Sequence, residues 1–101
     1  MAVIFDWQGI KIDDVAKTVS LKTGLMSGEH TYNFSDVLSV STNHYKTGPL
    51  SSLQWFWHYE IVFEVRDIKK PRHVFKGKAS GVPDQIARMK MSLPAANWQA
   101  Y

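Results

Sequence analysis

"WFWHYEIVFEV", residues 55–65, alternates from end to end, and that alternation decides the fold. Its odd positions are Trp55, Trp57, Tyr59, Ile61, Phe63 and Val65, and its even positions are Phe56, His58, Glu60, Val62 and Glu64. Successive side chains of a strand point to opposite faces, so a two-residue period reads as one long strand. One face is a hydrophobic wall and the other meets water. The tryptophans share their row with Ile61, Phe63 and Val65, which favours a core over a ring-stacking platform. A platform would interleave aromatic rings with basic residues. Here the polar face carries two glutamates, with Arg66 at its end. Phe56 and His58 face away from the wall beside a loop, and they are the aromatics expected to meet a partner.

Outward from this strand the period stays near two. Upstream, "GIKI" and "VAKTVSLKT" read as a hairpin turning at Asp13-Asp14, with Val15, Val19 and Leu21 on one face. "GLMSGE" is the next turn, and Leu25 and Met26 at its tip are either buried against the sheet or a small contact point. "HTYNF" puts His30, Tyr32 and Phe34 on one side. A corner at Ser35-Asp36 leads into "VLSVSTNHYK", with Leu38 and Val40 expected to point inward. "TGPLSSLQ", 47–54, reads as a loop.

Downstream, "IKKPR" is a turn, since Pro71 donates no hydrogen bond and biases Lys70 away from helix. "HVFKGKAS" is a short last strand. The period then changes. In "GVPDQIARMKMSL", Pro83 suits a first helical turn, and Ile86, Met89 and Leu93 form one amphipathic stripe. Pro94 ends or kinks the helix, and Trp98 and Tyr101 belong to a tail able to fold back or to make a dimer contact. The chain of 101 residues is therefore one domain, 1–101, with strands over about 9–79, a helix over about 83–93 and a tail 94–101. The class is α+β but mainly β, an antiparallel sandwich or barrel of about six strands closed by one C-terminal helix.

The chemistry is constrained mostly by what is missing. The chain has no cysteine, so disulfides, thiol catalysis and cysteine-held zinc are excluded. No GxSxG elbow or phosphate-cradling glycine loop occurs. His30, His44, His58 and His73 lie 14 or 15 residues apart with no HxH or HExxH, so each reads as a surface or half-buried side chain and no metal is expected. No catalytic residue, cofactor or small-molecule substrate is indicated. With no basic leader before an apolar run and no apolar stretch of membrane-spanning length, a cytoplasmic protein without integral membrane association is expected.

One charge asymmetry stands out. Residues 66–78, "RDIKKPRHVFKGK", hold six of the twelve Lys and Arg (Arg66, Lys69, Lys70, Arg72, Lys76, Lys78) against one acid. The segment reads either as a phosphate-binding patch for nucleic acid or another polyanion, or as a solvated turn and a lysine-guarded edge strand. Lys76 and Lys78 alternate with Phe75 and Gly77 and so share a face.

"GIKIDDVAKTVSL", then "HTYNFSDVLSVS", a long strand, a short strand and a closing helix resemble the small bacterial pleckstrin-homology-like domains. The match lies in the strand Tyr32-Asn33-Phe34-Ser35-Asp36-Val37 with Val40, and the element order covers residues 9–93. The resemblance implies seven strands, so a further one is expected within "AVIFDW", 2–7, or the barrel is incomplete. It implies no single ligand, because such domains bind lipids, peptides or proteins. Their phosphoinositide-binding basic motif lies in the first hairpin loop, where this chain has Asp13-Asp14 flanked only by Lys11 and Lys17. The expected function is a non-enzymatic interaction module, working through a sheet edge, loops or a homodimer face, with polyanion binding as the alternative.

Overall fold

The structure, a computed structural model, describes residues 5–24, 28–47, 56–94 and 96–100. Trp55, the tip residues Leu25 and Met26, the loop residues 48–54 and Tyr101 lie outside the described residues, as does the side chain of Phe56. Among the described residues eight strands and one α-helix follow in the order β1 (Phe5–Trp7), β2 (Ile10–Asp13), β3 (Thr18–Leu21), β4 (His30–Asn33), β5 (Val37–Thr47), β6 (Phe56–Val65), β7 (Arg72–Ala79), α1 (Val82–Ser92) and β8 (Asn97–Ala100), with a 3-10 turn at Phe34–Asp36 joining β4 to β5.

They form two four-stranded sheets, in the orders β1-β2-β3-β4 and β7-β6-β5-β8. The result is a β-sandwich-like fold with one C-terminal helix and, among the described residues, no closed barrel. The six or seven strands expected become eight. β1 is the strand anticipated within residues 2–7, and β8 is the tail, which folds back beside β5 in parallel. The tail after Pro94 gave no strand signal of its own.

The odd row of β6 is the wall of the core. Tyr59, Ile61, Phe63 and Val65 are buried against Phe5, Ile10, Ile12, Val19 and Leu21 of the first sheet. Trp57, half-buried, continues the row. α1 closes the sandwich through Val82, Ile86 and Met89, and Leu93 at its end completes the buried stripe. Trp98 donates its indole N–H to the Leu93 carbonyl at 2.9 Å, which ties the tail to the helix end.

Val62, on the row of β6 expected to meet water, is buried, and two further side chains depart from the expected pattern. Val15, taken as an inner residue, is exposed, because the turn after β2 runs over residues 14–17 and lifts it off the sheet. The Asp13 carboxylate organises this turn, accepting the N–H groups of Val15 and Ala16 at 3.0 and 2.9 Å. Leu38, expected inside with Val40, is 46% exposed. A bulge between Val37 and Ser39 inserts one residue against β6, so Val37 and Val40 point inward and Leu38 points out.

The shorter first turn makes a different demand. Gln8 and Gly9 both have positive φ, and a Cβ at Gly9 would run into the Lys22 carbonyl oxygen.

The burial pattern sets a direct expectation. Phe63→Ala should lower the unfolding free energy by about 3–5 kcal/mol, and Leu38→Ala by less than about 0.5 kcal/mol, measured by denaturant unfolding. A large loss at Leu38 would show that the bulge is misplaced.

Candidate functional site

The even row of β6 is the middle column of the outer face of the second sheet, on which Ser39, Ser41 and Val62 are buried and Tyr45, Glu64, Arg72, Val74, Lys76 and Lys78 are exposed. Register places Tyr45, His58 and Lys78 abreast, then Asn43, Glu60 and Lys76, then Ser41, Val62 and Val74, then Ser39, Glu64 and Arg72. β5 and β6 run for 11 and 10 residues, against three or four for each strand of the opposite sheet. The hairpin therefore outreaches its cover, and His44, Tyr45 and Lys46 are all exposed.

On this arm Tyr45 and His58 stack nearly flat, with ring centroids 4.8 Å apart and planes 6° apart. His44 and Trp57 meet on the opposite side of the hairpin at 5.3 Å. A cleft of about 320 Å³ opens beside the Tyr45–His58 stack, lined by Asn43, Glu60, Lys76 and Lys78 among others.

Three of the sequence-derived candidates, His58, Lys76 and Lys78, thus come together in one cleft, joined by Tyr45. Tyr45 carried no signal of its own, because its role depends on which β6 residue it faces. Arg72 lies on the same face at the far end, opposite Glu64. Phe56 opens β6 opposite Thr47.

Arg66, Lys69 and Lys70 sit elsewhere, in the turn between β6 and β7. The Asp67 carboxylate builds that turn. Oδ1 accepts the N–H of Lys69 at 3.0 Å and of Lys70 at 3.4 Å, and Oδ2 accepts the Tyr32 hydroxyl at 2.7 Å. Ile68 is left fully exposed at the tip. Tyr32 also meets His73 Nε2 at 2.9 Å. A phenol has one proton to give, and Asp67 takes it. His73 must then donate from Nε2, leaving a lone pair on Nδ1. Nδ1 is buried and has no hydrogen-bond partner.

Burial, then the hydrogen bond and charge of Asp67, push the Tyr32 phenol up to about 12. The hydrogen bonds from Tyr32 and the Lys69 amide hold the Asp67 carboxyl below its ordinary value. Burial lowers His73, helped by the Lys70 and His30 charges and opposed by Asp67 and the Lys70 main chain. His30 lies with its ring centroid 5.4 Å from that of His73, and Lys70 reaches Thr23 Oγ1 at 3.4 Å.

The expectation of a surface or half-buried His73 is therefore corrected, since it is fully buried. It shares the inner row of β7 with Phe75. Among the described residues no three histidine or acidic side chains are placed as metal ligands, and no helix is long and apolar enough to cross a membrane.

Comparison with known proteins found no matching family model, no similar curated protein and no similar solved structure.

His73 makes stability depend on pH. The unfolded chain takes up this proton near 6.5, and the folded chain only at lower pH. Protons therefore favour the unfolded state between those values. His73's contribution is complete above the unfolded value and is lost as pH falls toward the folded one. An NMR titration of the His73 ring should show a midpoint below 6.5, with unfolding free energy dropping between about pH 7 and pH 5. A midpoint at or above the ordinary histidine value would contradict the buried, neutral assignment.

Proposed function

We propose that this protein is a non-enzymatic, cytoplasmic interaction module that binds a polypeptide partner across the outer face of its second sheet. The observation that carries the reading is Tyr45, 54% exposed and stacked on His58 beside a cleft with lysines on its rim. A large aromatic ring held rigidly in solvent supplies contact area at little entropic cost, and flanking cations add orientation. The polar groups that converge elsewhere, Asp67, Tyr32 and His73, shape a turn. With its phenol pushed up to about 12, Tyr32 stays protonated and suits holding better than attacking.

The polyanion reading draws less support. The six cations of residues 66–78 are divided between a turn and a strand face, and Glu60 and Glu64 stand beside the strand cations and dilute their field. The fold we propose for the module is pleckstrin-homology-like. Among the described residues seven strands precede the helix, which supports the resemblance, and it brings no ligand contact with it.

Selection of random peptides on the purified protein tests the reading. Enriched peptides should lose at least about tenfold in affinity against Tyr45→Ala, a loss of roughly 1.4 kcal/mol. Peptides that bind Tyr45→Ala unchanged would overturn the assignment of the face. Strong heparin retention that Tyr45→Ala leaves intact would favour the polyanion instead.

A further inference from the structure

β7 is an edge strand. It pairs with β6 on one side, and among the described residues nothing pairs with it on the other. The phase of its hydrogen bonds follows from one contact, the Val65 N–H donating to the Pro71 carbonyl at 2.9 Å. In an antiparallel pair, hydrogen-bonded and non-hydrogen-bonded positions alternate. Counting on from Val65 and Pro71, His73, Phe75, Gly77 and Ala79 exchange bonds with β6. Arg72, Val74, Lys76 and Lys78 therefore turn their N–H and C=O groups toward the open edge. The same four residues send their side chains to the outer face, where each is exposed.

Edge and side chains thus present one coherent template. Across β6 the four residues face Glu64, Val62, Glu60 and His58, so two cations have an acid opposite and Val74 has Val62 opposite. The ion pairs among the described residues are Lys11 with Glu29 and Lys17 with Asp14, so Arg72, Lys76 and Lys78 are not held by neighbouring acids. A strand arriving at the open edge meets the same requirement that β6 meets on the paired side. A second copy fails it. Two β7 strands related by a two-fold would set Arg72 against Lys78 and bring the lysine rows together, and like charges across strands repel.

We propose that β7 takes up an extended, acidic segment of a partner protein as a fifth, antiparallel strand of the second sheet. Residues of that segment opposite Lys78, Lys76 and Arg72 are acidic, and the one opposite Val74 is apolar. Main-chain hydrogen bonds give the affinity, and the alternating charges give the selectivity. The proposal rests on the interaction-module reading and names the partner's chemistry.

Hydrogen exchange followed by NMR tests it, with the synthetic peptide Glu-Thr-Glu-Thr-Val-Thr-Glu as probe. In the free protein the amides of Arg72, Val74, Lys76 and Lys78 should exchange fast, and those of Phe75 and Gly77 slowly. Adding the peptide should slow the four open-edge amides by about tenfold or more. Lys76→Glu/Lys78→Glu, changed only at exposed positions, should weaken binding by at least about tenfold. A peptide with Lys in place of Glu should not bind.

If the acidic peptide shifts Tyr45 and His58 resonances without protecting the four amides, strand addition is wrong and the interaction module stands. No binding at millimolar peptide overturns the strand-addition proposal. Protection that grows with protein concentration alone would overturn it in favour of a second copy.

Discussion

A strand paired on both sides, as β6 is by β5 and β7, has no freedom over which side chains it buries. Its period is two, so one choice of face settles the direction of every side chain, and Val62 alone of the described outer row is buried. Phe63, Ile61 and Tyr59 go to the core, and His58, Glu60 and Glu64 go to the solvent face. That choice propagates to each neighbour through the register. It puts Tyr45 on His58, and it sets Lys76 and Lys78 beside Glu60 and His58. It also places Tyr59 over Gly77, where an added Cβ would approach the phenol oxygen to 3.2 Å. The binding face is a consequence of how the core is filled.

The two sheets are joined at one end by a polar link as well as by apolar packing. Tyr32 belongs to β4 in the first sheet, while Asp67 and His73 flank the β6–β7 turn in the second. The phenol bridges them, accepting from the imidazole and donating to the carboxylate. The carboxylate in turn fixes the amides of Lys69 and Lys70. The shape of the basic turn is thereby tied to the sandwich. Its main chain is held by a partly buried network, and its cations do not lie along one face with those of β7.

Much of the fold was legible because its longest strand carries so regular a pattern. The core row of β6, the shared face of Lys76 and Lys78, and the helical stripe through Ile86, Met89 and Leu93 all follow from local periodicity. What escaped was set by chain geometry that a period does not encode. Leu38 and Val40 lie two apart and would share a face on a regular strand, but the bulge shifts the phase between them. Val15 looked like the start of a strand and belongs to a four-residue turn. β8 is four residues long and has a partner 58 positions away, Asn97 on Ser39. The site divides the same way. His58 and the lysines could be nominated from alternation, whereas Tyr45 needed the β5–β6 register. Asp67 needed Tyr32, which lies 35 residues away.

The register of β6 against β7 carries both the cleft and the open-edge template, and the absence of native cysteine makes it directly testable. Glu60 and Lys76 face each other at a non-hydrogen-bonded position, where Cα atoms stand about 4.5 Å apart, within disulfide range. Oxidation of Glu60→Cys/Lys76→Cys should give a cross-linked monomer that unfolds at higher denaturant than its reduced form. Glu60→Cys/Phe75→Cys, whose side chains point to opposite faces, should not cross-link. Preferential cross-linking of Glu60→Cys/Phe75→Cys, or of a pair displaced by two such as Glu60→Cys/Lys78→Cys, would contradict the register and the face built on it.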